Sequence, residues 1–175
     1  MTRIRHVGLI TGTALLATLS AQAESVYQEP GDFIAASFGE HQPEQKTLWI
    51  TDEIRKDAEG LTGRKLKKFR VRYWQHENRY AWVLDSIGKD LPITTGVVIE
   101  SGAIRDIKVL VFRESRGWEV RYPFFTDQFG GAGLNEKRQL DARIDNISGA
   151  TLSVNALKHQ ARLALLLTSY TVNNP

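Results

Sequence analysis

The stretch Ile93-Thr94-Thr95-Gly96-Val97-Val98-Ile99-Glu100-Ser101-Gly102-Ala103-Ile104-Arg105-Asp106-Ile107-Lys108-Val109-Leu110-Val111-Phe112 decides the fold. Two runs rich in β-branched residues, Ile93–Glu100 and Ile104–Phe112, are separated by Ser101-Gly102. Glycine tolerates positive φ, so the pair predicts two antiparallel strands closed by a tight hairpin turn. Upstream, a period of two begins at Lys68: Phe69, Val71 and Tyr73 alternate with Arg70, Arg72 and Trp74, the signature of a half-exposed strand. Arg79–Ile87 reads as its partner, with His76-Glu77-Asn78 as the turn. The tyrosines and tryptophans Tyr73, Trp74, Tyr80, Trp82, Trp118 and Tyr122 read as core and cross-strand pairs.

Further upstream, Asp32–Phe38 is a short helical candidate and Lys46–Ile50 a short strand. Thr51 is placed to cap a helix whose first turn carries Asp52 and Glu53 at its positive end, and Gly60 or Gly63 is placed to stop it. Downstream, Trp118–Leu134 is aromatic and Gly-rich, which predicts an irregular loop with a helical turn. Val154, Leu157, Ala161, Leu165 and Thr168 then recur at helical spacing, with Asn155, Lys158, His159 and Arg162 on the wet side. Consecutive antiparallel strands followed by a closing helix predict an α+β domain, an antiparallel sheet with a C-terminal helix packed on it.

The chain has 175 residues, 42% hydrophobic and 25% charged, the balance of a globular protein rather than a disordered one. It has no cysteine, which excludes disulfide scaffolds, iron–sulfur clusters and thiol nucleophiles. Arg3 and Arg5 precede the apolar run Val7–Leu19, and Ala21-Gln22-Ala23 follows it, the pattern of a secretory signal peptide cleaved after Ala23. The apolar run is shorter than the roughly 17–25 residues of a spanning helix. Residues 1–23 are therefore expected to leave, and residues 24–175 to form one domain in the periplasm, soluble or peripherally held. The departing segment takes two arginines and no carboxylate with it, so the formal charge of +3 argues for no nucleic-acid partner. The run Arg64-Lys65-Leu66-Lys67-Lys68-Phe69-Arg70-Val71-Arg72 reads first as the solvated face of a helix–strand junction. Its other reading is a dock for an acidic partner or for lipid head groups.

The four histidines, His6, His41, His76 and His159, are scattered without ligand spacing, so a histidine metal site is not expected. Ser148 has Asn146 two positions before it, not the glycine of a nucleophile elbow. Gly130-Gly131-Ala132-Gly133 fits neither a dinucleotide fingerprint nor a phosphate loop; it reads as a turn, or as a place where a flat ligand meets backbone. One segment stands apart: Asp145-Asn146-Ile147-Ser148-Gly149-Ala150-Thr151-Leu152-Ser153. Small residues feed directly into the terminal helix. Ser148 is the expected N-cap, leaving the N–H groups of Gly149 to Thr151 free for a phosphate. The plain alternative is a capped helix start and nothing more.

Asp-x-x-Ser-Gly-Ala-Thr resembles the flavinylation motif of the FMN-binding domain family, which includes flavin-carrying subunits of the Na+-pumping NADH:quinone reductase and of Rnf-type complexes. The resemblance implies FMN joined to Thr151 through a phosphoester bond, installed by a Mg2+-dependent periplasmic flavin transferase with FAD as donor. It implies that Asp145 helps the transferase find its target and that Ser148, Gly149 and Ala150 shape the phosphate turn. It extends over about residues 80–168. Glu114-Ser115-Arg116-Gly117 is similar to the family's Glu-Thr-Pro-Gly turn near the isoalloxazine ring, so Glu114, Ser115 and Gly117 are expected near the cofactor. Here Ser115 and Arg116 replace Thr and Pro, and Glu119 stands where a glycine is frequent. Phe125-x-x-Gln128-Phe129 is similar to the family's Phe-containing segment ahead of the motif. No histidine or carboxylate forms an acid/base constellation for turnover of a small substrate, so an electron carrier is expected rather than a self-sufficient oxidoreductase. The resemblance implies exchange of electrons with a membrane or periplasmic redox protein. Two other readings stay open: a flavin-free exported scaffold, and a periplasmic FMN-dependent reductase using Glu114 or Arg116 to bind a small acceptor.

Overall fold

A computed structural model describes residues 24–173; the signal peptide expected over residues 1–23 lies outside the described residues. The strands are β1 (Ser25–Val26), β2 (Glu44–Trp49), β3 (Arg70–His76), β4 (Arg79–Ile87), β5 (Pro92–Glu100) and β6 (Ala103–Phe112). The helices are α1 (Pro30–Phe38), α2 (Asp52–Thr62), α3 (Pro123–Thr126) and α4 (Thr151–Asn173). One antiparallel sheet runs in the order β1-β6-β5-β4-β3-β2. The fold is α+β, as the alternation and the closing helix require.

The expected hairpin is present, with Glu100 opposite Ala103 and both Ser101 (φ 52°) and Gly102 (φ 83°) left-handed. The β3–β4 turn is Glu77-Asn78, with His76 still in the strand and paired to Arg79. Thr51 caps α2, its hydroxyl accepting from the N–H of Ile54 at 3.2 Å, and α2 passes Gly60 to end at left-handed Gly63. α1 begins two residues before Asp32, at Pro30, whose fixed φ suits a first helical position. β1 is an addition: Ser25 and Val26 pair with Phe112 and Val111 on the outer side of β6. Two residues carry no readable period.

Helices cover both faces of the sheet. On one face Val154, Leu157, Ala161 and Leu165 of α4 pack with Tyr73, Trp82, Val97 and Ile107 in the main core. On the other, Phe33, Ile34 and Phe38 of α1 meet Ala81, Val98 and Leu110. An ideal Cβ on Gly96 would overlap the Phe33 ring, so this glycine is what lets α1 sit down on β5. Covered on both sides, β5 is buried from Ile93 to Ile99 and shows no alternation, as expected of an interior strand. Among the described residues the hydrophobic clusters draw their buried side chains from Phe33 to Leu167, so residues 24–173 close their own core.

Two buried polar anchors fix where α4 lies along the sheet. Trp82 Nε1 donates to Thr168 Oγ1 at 2.8 Å. Gln160 Nε2 donates to the carbonyls of both Leu84 and Ile93 at 2.8 Å, bridging β4 and β5. A slip of α4 by one turn would strand these groups in the core without partners, at a cost of about 1–3 kcal/mol each. The position of the α4 N-terminus is set in this way from far inside the sheet.

Candidate functional site

The end of the sheet where β4 leads into β5 and β6 runs out carries the expected site. The N–H of Val154 donates to Ala150 O at 2.9 Å, the first hydrogen bond of α4, so Ala150 is the N-cap. Ser148 is not the cap. Gly149 is left-handed (φ 82°), and the N–H of Ala150 turns back to Ile147 O at 2.9 Å. The helix therefore starts two residues later than the serine signal suggests, and the N–H groups that precede its first intrahelical bond are those of Thr151, Leu152 and Ser153. No side-chain oxygen occupies the cap position.

The segment leading to the cap is tied down from below. Phe125 and Phe129, both fully buried, meet edge to face at 5.5 Å. Gln128 between them accepts from the N–H of Asp145 at 2.8 Å through Oε1. Lys158 Nζ donates to Ile144 O at 2.8 Å. The glycine-rich stretch serves the sheet rather than a ligand: Gly131 N–H donates to Ile104 O and Ile104 N–H to Ala132 O, both at 2.8 Å, and Ala132 is buried.

The turn after β6 meets the helix start through Gly117. Its φ is +83°, and an ideal Cβ there would overlap Ser153 Oγ. Only glycine lets Glu114-Ser115-Arg116-Gly117 press against Ala150 and Ser153. Glu114 is spent on the fold: Oε1 accepts from the N–H groups of Asp90 at 2.7 Å and Leu91 at 2.8 Å, stapling the β4–β5 turn to this one. Beyond Gly117, Trp118 and Tyr122 are exposed rather than buried, and Arg121 lies between them and Tyr27 with its guanidinium 4.4 Å from the Tyr27 ring. The four aromatics Tyr73, Trp74, Tyr80 and Trp82 follow the cross-strand expectation, with Tyr73 stacked on Trp82 at 4.9 Å.

These pieces enclose a cleft of about 590 Å³ lined by Glu114, Ser115, Gly149, Ala150 and Thr151, joined by Lys89, Arg116, Leu152 and Ser153. Of the residues expected at the site, Gly117 stands directly behind the cleft, whereas Ser148 and Asp145 do not line it. Asp145 faces solvent, its carboxylate paired with Arg143 at 2.9 Å. Lys89, Leu152 and Ser153 were not legible as site residues, because only the turn geometry brings residue 89 to the start of α4. Asn146 is a further addition: its Nδ2 donates to Thr151 Oγ1 at 2.9 Å. That bond occupies a lone pair of the hydroxyl and leaves its proton free.

Residues 88–166 match the model of the FMN-binding domain family. They form an FMN-binding domain. No curated protein and no solved structure matches the chain. The match points to a flavoprotein with FMN as its ligand, and residues 88–166 include every residue that lines the cleft.

The cleft fits that cofactor on chemical grounds. Its volume falls within the range of about 300–1,000 Å³ usual for small-molecule sites. Free N–H groups at a helix start, with Lys89 and Arg116 beside them, suit a phosphate. Half-exposed Leu152 and exposed Gly149, over the buried Ala150, leave the cleft open to a flat ring. One carboxylate, Glu114, is in this lining, and its Oε1 accepts from the N–H groups of Asp90 and Leu91.

Proposed function

We propose that this protein is a periplasmic electron-transfer flavoprotein that carries FMN covalently, through a phosphoester bond to Thr151. The observation that carries the reading is the place of the Thr151 side chain: exposed, at the first residue of α4, in a cleft with two cations, inside the segment that matches the family. The flavin supplies the redox chemistry, passing one or two electrons. The chain supplies position and electrostatics.

Each residue has a role in this reading. Asn146 orients the Thr151 hydroxyl. In the loading step Thr151 Oγ1 bonds to the flavin-side phosphorus of FAD, the pyrophosphate P–O bond breaks, AMP leaves, and the hydroxyl proton passes to the transferase or solvent. The N–H groups of Thr151 to Ser153 would hold the phosphodiester, whose single negative charge a helix N-terminus would stabilise by about 0.3–1 kcal/mol. Lys89 and Arg116 add to that field from the facing turns. Exposed Asp145 is left available to the visiting transferase, a Mg2+-dependent enzyme in the same compartment. Covalent attachment makes sense for an exported protein, which has no cytoplasmic FMN pool to refill its site. The electron donor or acceptor is a membrane or periplasmic redox protein.

The test is the intact mass of the chain after co-expression with a periplasmic flavin transferase, followed by peptide mapping under denaturing conditions. The expected result is an added mass of one FMN less water, on the peptide containing Thr151, and a new N-terminus at Glu24. A colourless, unmodified protein beside a fully loaded control substrate would sink the covalent reading.

A further inference from the structure

The half of the chain outside the FMN-binding domain carries a surface that the cofactor does not explain. Residues 64–72 hold six cations and no carboxylate. All six, Arg64, Lys65, Lys67, Lys68, Arg70 and Arg72, are exposed. Among the described residues only Lys68 of these pairs with a carboxylate, Asp85 at 3.5 Å. Two large aromatic side chains stand out of the same corner: Phe69 is 78% exposed and Trp49 is 64% exposed. They flank the same end of the β2–β3 edge from opposite faces, since Trp49 is paired with Arg70 while Phe69 lies opposite Ile50, whose N–H donates to Phe69 O at 2.9 Å.

We propose that this corner docks the protein onto an anionic phospholipid bilayer, with Phe69 and Trp49 entering the head-group layer and the surrounding cations holding lipid phosphates. The side-chain arrangement argues for lipid. Guanidinium groups sit beside both rings, Arg55 at 5.8 Å from the Phe69 ring centre and Arg70 at 5.9 Å from that of Trp49. A ring in the interfacial layer with a cation at phosphate level is what a bilayer surface accommodates at once. An acidic protein surface would answer the charge and leave two separate projecting rings in water unless it carried a matching cavity for each. A trough of about 640 Å³ beside the start of α1 adds to the case: Lys68, Arg70 and Arg72 line it together with Gln45, Thr47, Trp74 and Val83, a cationic and polar surface next to the two rings.

The corner is joined to the FMN end of the sheet. Arg64 Nη1 donates to Ile87 O at 2.6 Å and to Ser86 Oγ at 3.2 Å. Ile87 is the last residue of β4, and the turn that follows carries Lys89 of the cleft. Docking through residues 64–72 therefore brings the cleft end of the sheet toward the membrane. The lipid surface itself stands without the covalent flavin; only its use in meeting a membrane redox partner rests on the proposed function.

The test uses flavin-free protein, residues 24–175, so that it succeeds or fails separately from loading at Thr151. Co-sedimentation is measured with phosphatidylcholine vesicles with and without phosphatidylglycerol, at low and raised salt. The expected result is binding only to the anionic vesicles, weakening as salt screens the charges. The double variant Lys65→Glu/Lys67→Glu should bind at least about tenfold more weakly. Phe69→Ser should weaken binding several-fold at unchanged charge. A blue shift of tryptophan emission on vesicles should be lost in Trp49→Phe. Equal uptake by neutral vesicles, undiminished binding by the glutamate variant, or retention on an immobilised acidic polypeptide without vesicle binding would each overturn the proposal.

Discussion

The tripeptide Ser-Gly-Ala occurs twice, at residues 101–103 and 148–150, and each copy borders a cleft of about 600 Å³. In both copies the glycine is left-handed, φ 83° at Gly102 and 82° at Gly149. The surroundings separate them. After Ala103 the chain enters β6 and places Ile104, 1% exposed, into the core. After Ala150 it enters α4 and places Thr151 on the surface. The first cleft lies beside the C-terminal half of α4, lined by Leu165, Thr168 and Val172, where a helix presents carbonyls. The second lies at its N-terminus, where it presents N–H groups, with Lys89 and Arg116 added. Size does not distinguish the two clefts, although the flanking residues do: Ser101-Gly102-Ala103 has neither the Asp three residues upstream nor the following Thr of the second copy. The polarity of the helix does so too, and it assigns a phosphate to one end only.

The largest effect expected at that end comes from Thr151→Ala. It removes the hydroxyl without touching the core, so flavin loading should fall to nothing while the circular dichroism spectrum is unchanged. Thr151→Ser should retain partial loading, because the hydroxyl survives. Loading that persists in Thr151→Ala would place the attachment elsewhere.

Next in size is a contrast between two left-handed glycines. Gly102 has open space where a Cβ would go, so Gly102→Ala should lose about 1–2 kcal/mol from backbone strain alone. At Gly117 the same strain is joined by overlap with Ser153 Oγ, and Gly117→Ala should lose about 2–4 kcal/mol by urea denaturation. It should also slow flavin loading, since relief of the overlap moves the turn that carries Arg116. Equal losses for the two variants would mean that the turn does not press on the helix.

How much of this could be read in advance follows from how local each feature is. The hairpin at Ser101-Gly102, the Thr51 cap and the apolar period of α4 are decided within a few residues, and all three are as the sequence implies. Of the wet side expected on α4 only Asn155 is exposed, with Lys158, His159 and Arg162 half-buried. The start of α4 is not. Ser148 carries the right side chain for a cap, but left-handed Gly149 and the bond from Ala150 N–H to Ile147 O delay the helix to Thr151. Lys89 and Asn146 enter the site only through turns closed by distant groups, Glu114 for the first and Gln128 for the segment of the second. Glu114 was legible as a residue of the site, yet its contacts are with backbone N–H groups across the turn. Residues that build the scaffold of a site and residues that face its ligand look alike in sequence.

At the far end of α4, Tyr170 tests whether the helix is held there as firmly as at its start. Its hydroxyl donates to Asp57 Oδ2 of α2 at 2.9 Å, and Arg138 Nη1 lies 2.7 Å from the same oxygen. The Tyr170 bond, followed by Arg138, holds the Asp57 carboxyl below its ordinary range, while burial and the Asp57 charge push the phenol up to about 12. Tyr170→Phe should lose about 0.5–1.5 kcal/mol and leave flavin loading untouched, because Trp82 and Gln160 still fix the helix register. A loading defect in this variant would show that the two ends are coupled.

The smallest expected effect lies between the two ends. His159 sits midway along α4 with Nδ1 buried and unpartnered, and burial, then Arg64, then Arg162 hold its imidazole below the ordinary value of 6.5. The folded state therefore resists protonation that the unfolded chain accepts. The contribution of His159 to stability is complete above about pH 6.5 and declines as the pH falls from there toward its folded value. His159→Gln removes the titration and should flatten this part of the profile, so the wild type should lose more stability than the variant between about pH 8 and pH 5. The comparison is made by urea denaturation at both pH values. Parallel profiles would mean that the ring finds solvent on protonation, and that the middle of α4 is looser than either of its anchored ends.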